Sequence, residues 1–385
     1  MSEPSGEPAQ PVERFGAELA AGPFVRVPPR RRNIRVPVPS RRAALAGLAL
    51  YAPCRFRTLV AHHAGWALVS VLGPRVLPSG RGSWCPPMEP ERWETVCEAW
   101  RRDIGPFDAV AVYERPQASR SGVSALLLDD GRPKAFVKLR HEGARLELSE
   151  RVLTALAAAP SRHFQAPVPL ASGADDAWDW LAVSPMPLFP HRPPRRPPLP
   201  RIVEDLQDRL APVLDGRGVP SHWRPMHGDL TPWNLRRVGP WALWLLDWEE
   251  VGWGPAGADE VYYAATASVL LGARPPGVAA SAEAVAFWRR RVAARPSSDF
   301  DRVFNDALAG ILATMAGSEG QSEGGDERRD TASTADSNRS PADVSSNADS
   351  TWRRAAPPIR ARSAGSASSD STAETKPSSS SGGTR

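Results

Sequence analysis

Three oxygen-bearing side chains, Asp229, Asn234 and Asp247, fall within the single stretch HGDLTPWNLRRVGPWALWLLDWE that runs from His227 to Glu249. The spacing H-x-D-x-x-x-x-N, with a second aspartate closing an apolar run, suits ATP-dependent phosphoryl transfer. In such a loop the first aspartate meets the attacking hydroxyl, and the amide oxygen and second carboxylate hold magnesium. Magnesium prefers hard oxygen donors in near-octahedral geometry, which explains Asp and Asn here rather than Cys or His. Asp229 is therefore the candidate catalytic residue, and Asn234 and Asp247 are the candidate metal ligands. Residues 235–238 and 241–246 read as two short strands around a Gly239-Pro240 turn. A hairpin of that kind folds Asp247 back beside Asn234.

An HGD triplet alone also fits a strand-end turn with Asp229 capping a helix. Asn234, the hairpin and the apolar run ending at Asp247 together favour phosphoryl transfer. Asp259 follows Gly254-Pro255 and opens the helical stretch DEVYYAATASVLL, so capping or support of the catalytic loop suits it better than chemistry. His227 reads as structural, because a magnesium site has little use for an imidazole.

HGDLTPWN followed by LLDWEEVGWGP resembles the aminoglycoside phosphotransferase and choline kinase superfamily of small-molecule kinases, which share a fold with protein kinases. The resemblance spans residues 105–315, and its tight part is 227–260. It implies an α+β, protein-kinase-like two-lobe fold, with a small antiparallel-sheet N-lobe carrying one helix and a mainly helical C-lobe. Gly228 stands where protein kinases usually carry Arg, and no A-P-E segment follows Asp247. Both departures favour a small-molecule kinase.

The nucleotide-binding part is then expected upstream. Residues 110–113 and 123–128 are apolar, β-favouring runs flanking a polar loop, and the turn Asp129-Asp130-Gly131 leads to a third strand at 134–139. Lys138 lies in that strand, where the superfamily places the lysine that contacts the α- and β-phosphates. The chain contains three lysines (Lys134, Lys138 and Lys376) and otherwise uses Arg, so a Lys inside an apolar strand suggests a need for a compact ammonium. Lys134 fits a solvent-facing strand edge. Residues 144–159 read as a helix with Leu146, Val152, Leu153 and Leu156 on its apolar face. Glu147 and Glu150 are neighbours on that helix. Either can pair with Lys138, and Glu150 is preferred.

The phosphate-covering loop lacks G-x-G-x-x-G. Backbone N–H groups around Ser121 and Gly122 are the candidates to cradle a β-phosphate, although an ordinary hairpin loop fits equally well. The run WLAVSPMP at 180–187 resembles a hinge strand, with backbone near Ser184 and Met186 at the adenine edge and Met186 beneath the ring. The Pro- and Arg-rich segment 187–200 reads as a stiff crossover without regular structure, or as an exposed basic patch.

The resemblance implies ATP and Mg2+ as cofactors, and transfer of the γ-phosphate to a hydroxyl of a small aminoglycoside-, sugar- or amino-alcohol-like molecule. Glu249, Glu250, Trp248, Trp253, Asp259, Glu260, Tyr262 and Tyr263 are the acids and aromatics available for an acceptor pocket, with simple packing the competing role for Trp248 and Trp253. The alternative is a catalytically silent nucleotide-binding or regulatory module on a kinase fold. The weak glycine loop and long extensions favour it; the presence of Lys138, Asp229, Asn234 and Asp247 together opposes it.

At 385 residues the chain can bury one two-lobed core with flanking material. Its formal charge is +5 and its pI about 9.5, but the arginines gather at 30–32 and 192–201 without interleaved aromatics. A solvated basic surface is therefore expected rather than a nucleic-acid partner. Cys54, Cys85 and Cys97 are odd in number and lack metal spacing, so a reducing, cytoplasmic setting fits. No apolar run approaches the ~20 residues of a membrane helix. The expected organisation is a poorly ordered segment (1–38), an N-terminal extension (39–104), a nucleotide-binding N-lobe (105–186), a catalytic C-lobe (187–316) and a disordered tail (317–385). Within it, Ser40 is expected to cap a helix running to Leu50, 66–72 to form a strand, and 91–102, 258–272, 281–294 and 299–316 to form helices.

Overall fold

The computed structural model describes residues 15–28, 33–78, 82–114, 122–141, 146–175, 177–188, 190–240, 242–272, 281–295 and 299–319, with side chains from 302 to 316 in the last stretch. Ser121, Trp241 and the chain beyond 319 lie outside the described residues.

Alternating apolar residues build a seven-stranded antiparallel sheet. Its strands are β1 (Phe24–Val27), β2 (Ile34–Pro37), β3 (Ala109–Glu114), β4 (Gly122–Asp129), β5 (Arg132–His141), β6 (Pro169–Asp175) and β7 (Trp178–Val183), in the order β1-β2-β3-β4-β5-β7-β6. Between β4 and β5 the chain turns at Asp130 (φ 49°) and Gly131 (φ 69°), two consecutive left-handed residues of the kind a tight hairpin requires. Five helices accompany the sheet: α1 (Phe15–Ala21), α2 (Arg41–Leu48), α3 (Phe56–Leu72), α4 (Pro90–Ile104) and α5 (Leu146–Ala158).

Strand alternation sorts the sheet's side chains into two cores. Val110, Val112, Val123, Leu127, Val137 and Leu139 share one cluster with Leu19 of α1 and Trp93, Val96 and Trp100 of α4. On that side Trp84, Trp93 and Trp100 meet edge to face at 5.1 and 5.4 Å between centroids. Ala111, Leu126, Leu128 and Phe136 belong to the other cluster, with Ala43 and Ala44 of α2 and Val152, Leu153 and Leu156 of α5.

The expectation of a small sheet with a single helix is corrected here: the sheet has seven strands, and helices lie on both faces. The poorly ordered character expected of residues 1–38 fails over the described part, where α1, β1 and β2 form. Their proline and arginine content masked a short apolar alternation that finds a partner only in three dimensions. Ile34 and Arg35 pair with Tyr113 and Val112 of β3, and the Arg35 guanidinium bridges both oxygens of Glu114 at 2.8 and 3.1 Å. Residues 66–72 are helical, not a strand. They close the 17-residue α3, where the β-favouring Trp66, Val69 and Val71 have no neighbouring strand to pair with. Ser40 does cap α2, accepting from the Ala43 amide at 3.1 Å.

The remaining elements are β8 (His191–Arg192), α6 (Leu199–Leu210), β9 (Trp223–Met226), β10 (Leu235–Val238), β11 (Ala242–Leu245), β12 (Gly252–Pro255), α7 (Ala258–Leu271), α8 (Ala282–Ala293) and α9 (Asp299–Glu319). Two small sheets, β11-β10-β8 and β12-β9, carry the loop and turn of the candidate site. Strand β8 corrects the reading of 187–200 as wholly irregular, since His191 and Arg192 pair with Val238 and Arg237. Helices α7 to α9 pack around Val261, Trp288, Leu308 and Leu312. The rings of Tyr262 and Trp288 stack there, 3.9 Å apart and 11° from parallel.

Candidate functional site

The β10–β11 hairpin forms with Leu235 opposite Leu245, so Asn234 and the Leu246-Asp247 pair sit at its open end. Gly239 adopts φ 61° in the turn, which a side chain would resist. Asp247 is itself left-handed, at φ 69° and ψ 74°, an unusual backbone state for a non-glycine residue. That twist ends the strand and starts a single helical turn, Trp248–Glu250.

Asn234 and Asp229 are joined directly. The Asn234 Nδ2 group donates to the Asp229 carbonyl oxygen at 2.9 Å and to Asp229 Oδ2 at 2.8 Å. Both donor positions of the amide are thereby used. Its Oδ1 is buried and accepts no hydrogen bond. An orphaned, buried acceptor costs on the order of 1–3 kcal/mol, and this one belongs to the side chain that holds the Asp229 carboxylate.

Asp259, at the start of α7, explains how the loop is held. Its two oxygens accept from the His227 and Gly228 amides at 2.7 and 3.1 Å. The His227 ring in turn accepts from the Asp229 amide at 3.2 Å and lies 4.7 Å from the Trp248 ring. Burial pushes the Asp259 carboxyl up to about 7, against the downward pull of those amides. Gly228 has φ 75°, and a Cβ there would collide with the Glu250 carbonyl oxygen. Backbone geometry therefore demands glycine at 228.

From the sheet, Lys138 of β5 reaches the same place. Alternation puts Phe136, Lys138 and Arg140 on the face opposite Val137 and Leu139. The Lys138 ammonium bonds Asp247 Oδ1 and lies 2.9 Å from Glu249 Oε1. Arg140 donates to the same Glu249 oxygen from Nη2 at 3.0 Å and from Nε at 3.3 Å. Glu150, the preferred sequence candidate for Lys138, accepts from Ser172 at 2.9 Å instead. α5 presents Glu150 toward β6, and a carboxylate two residues past Asp247 is closer to the lysine. Sequence reading passed over Glu249 and Arg140 in this role. The available signal was Arg140, which sits at i+2 from Lys138 and so shares its face.

Other sequence candidates are placed differently. Gly122 opens β4 opposite Arg140 with φ 123°, and a Cβ would meet the Leu139 carbonyl oxygen, so strand approach by itself requires glycine there. The Ser184 amide donates to the Val168 carbonyl oxygen at 2.7 Å. Its Oγ accepts from the Val168 amide at 2.8 Å, which leaves the Ser184 N–H committed to the sheet rather than to an adenine edge. Met186 packs with Val238, Trp244 and Leu246 directly before Asp247.

Most of the acceptor-side candidates are occupied by packing. Trp248 is 2% exposed, Tyr262 and Tyr263 are buried, and the Trp253 indole donates to the Asp215 carbonyl oxygen at 2.9 Å. Glu250 is paired with Arg291 at 2.6 Å. Glu260 retains a buried Oε2 without a partner, and burial raises its carboxyl.

Magnesium fits the residues present. Asn234 Oδ1 is an oxygen donor without a proton donor facing it, and Asp247 is a carboxylate beside it at the hairpin end. One amide and one carboxylate are the sparse donor set that magnesium accepts when phosphates and water complete its shell.

No family model matches the chain, and no curated protein matches it. Among solved structures, it overlaps a candidate fructosamine-3-kinase from Haemophilus somnus 129PT at 9% identity and a TM-score of 0.36, over 58% of this chain and 97% of that one. A structure of WbdD overlaps at 17% identity and a TM-score of 0.24, over 57% of this chain and 48% of that one. WbdD with the kinase inhibitor LY294002 overlaps at 15% identity and a TM-score of 0.23, over 56% of this chain and 47% of that one.

Proposed function

We propose that the protein is an ATP-dependent phosphotransferase that moves a γ-phosphate to the hydroxyl of a small molecule. One observation carries the reading. Lys138, from the sheet, bonds Asp247, 109 residues further along the chain, at the hairpin end that also holds the Asn234–Asp229 pair. A packing role explains either pair alone, but less readily a buried Lys138–Asp247 ion pair and an Asn234–Asp229 pair with an orphaned amide oxygen at the two ends of one short hairpin.

In this reading Lys138 holds the α- and β-phosphates, and Asn234 and Asp247 hold magnesium. Bound magnesium supplies charge neutralisation across the phosphate oxygens. Asp229 orients the acceptor hydroxyl and takes its proton, and Asn234 fixes the Asp229 carboxylate through its Nδ2 bond. Hydrogen bonds from Asn234 to Asp229, from the loop amides to Asp259 and from Ser149 to the turn hold these groups in place, so the protein contributes mainly position and prearranged charge.

The acceptor is assigned as an alcohol or sugar. An amine acceptor would draw on unspent carboxylates at the surface of the site, yet Glu249 and Glu250 are engaged by Lys138, Arg140 and Arg291, Asp259 by two amides, and the unpartnered Glu260 oxygen is buried. The test is release of ADP with Mg2+ and ATP across hexoses, amino sugars, amino alcohols and nucleosides. Acceptor-dependent ADP release that vanishes in Asp229→Ala is the expected result. No release with any acceptor, together with no magnesium-dependent ATP binding, would overturn the reading.

A further inference from the structure

Lys138 is held by two carboxylates that differ in their other duties. Asp247 is the candidate metal ligand, whereas Glu249 is tied to Arg140. Arg140 is itself anchored, donating from Nη1 to the Val123 and Leu139 carbonyl oxygens at 2.8 and 3.0 Å and from Nη2 to Ser124 Oγ at 3.3 Å. The four charged groups balance, two positive and two negative, and all four side chains are at most 16% exposed. Glu249 also sits on the turn that carries Asp247. That turn is clamped by the Ser149 hydroxyl of α5, which donates to the Trp248 carbonyl oxygen at 3.0 Å, and by the buried Trp248 ring.

We propose that Glu249, braced by Arg140, is the residue that positions Lys138 for the phosphates of a nucleotide, so that the lysine and the metal ligand Asp247 are set by one rigid three-residue turn. The inference rests on the phosphotransferase reading. When Asp247 is needed by the metal, Lys138 keeps Glu249 as its counter-charge and stays aimed into the site. Without Glu249, Lys138 is left with Asp247 as its carboxylate, and the lysine and the metal compete for it. Glu249 belongs to the turn and not to α5, which braces that turn through Ser149. Glu150, on α5, has no part in it.

The experiment compares the full-length protein with E249Q, E249D and E150Q by titration calorimetry with Mg2+–ATP and with adenosine, and by thermal unfolding. E249Q is expected to weaken Mg2+–ATP binding by about tenfold or more while adenosine, which has no phosphates for Lys138, binds as before. E249D keeps the charge and should recover part of the loss, which also covers the case in which E249Q folds poorly. E150Q should bind both ligands normally. Wild-type ATP affinity in E249Q, an equal loss for adenosine, or an equal loss in E150Q would overturn the assignment while leaving the phosphotransferase reading standing. Absence of Mg2+–ATP binding by the unaltered protein would overturn both.

Discussion

The Asn234 side-chain amide donates to Asp229 at both the backbone oxygen and Oδ2, at 2.9 and 2.8 Å, and this fixes which way its own Oδ1 points. One residue thus orients the candidate base and offers the candidate metal donor. Asn234→Ala should remove both, raising the Mg2+ concentration needed for half-maximal ATP binding by at least about tenfold. Magnesium titrations at fixed ATP will read this, and an unchanged midpoint would remove Asn234 from the metal site.

Asp229→Ala separates chemistry from binding. A general base contributes about a hundred- to ten-thousand-fold to rate, so turnover should fall by that order while Mg2+–ATP binding stays near wild type. Calorimetry and ADP release on one preparation make the comparison. Near-native turnover would exclude Asp229 as the group that takes the proton.

Gly228→Ala tests the loop's backbone. The positive φ and the collision with the Glu250 carbonyl oxygen should cost about 3 kcal/mol or more, since neither backbone can yield without disturbing the loop. Urea unfolding will show whether stability drops by that amount.

The buried Asp259 links stability to pH. Its carboxyl is raised from 3.8 to about 7 by burial, so the folded state favours the protonated form. The stability this group contributes is complete below its unfolded value and is lost as pH rises through the folded one. Relative to Asp259→Asn, the wild type should therefore lose stability between about pH 4 and pH 7 and change little beyond. Melting temperatures of the two proteins that run parallel across this window would refute the linkage.

Among the described residues no helix is long and apolar enough to cross a membrane. The described cysteines Cys54, Cys85 and Cys97 are all unbridged.

Legibility followed the range of the interactions. The strands around Asp130-Gly131, the Gly239 turn and the Ser40 cap were readable because turn glycines, caps and alternation are set by residues a few positions apart. The same locality made the Asp229, Asn234 and Asp247 spacing informative, since a short hairpin leaves little choice about where its two ends meet. What local pattern missed was partnership. Strand β2 looked poorly ordered because its partner β3 lies more than 70 residues on, and β1 joins the sheet only through β2. A strand was expected at 66–72 because β propensity says nothing about whether a neighbouring strand exists.

The chain's order of residues determined that a lysine, two aspartates and an asparagine of the right chemistry were present, and roughly where each would lie on its element. Tertiary structure alone decided which carboxylate Lys138 meets. The helix glutamates were nearer in sequence, but α5 presents Glu150 to Ser172 of β6, and the turn after Asp247 delivers Glu249. Which groups pair across the fold depends on how packed elements face one another, and that is a property of the whole core rather than of any segment.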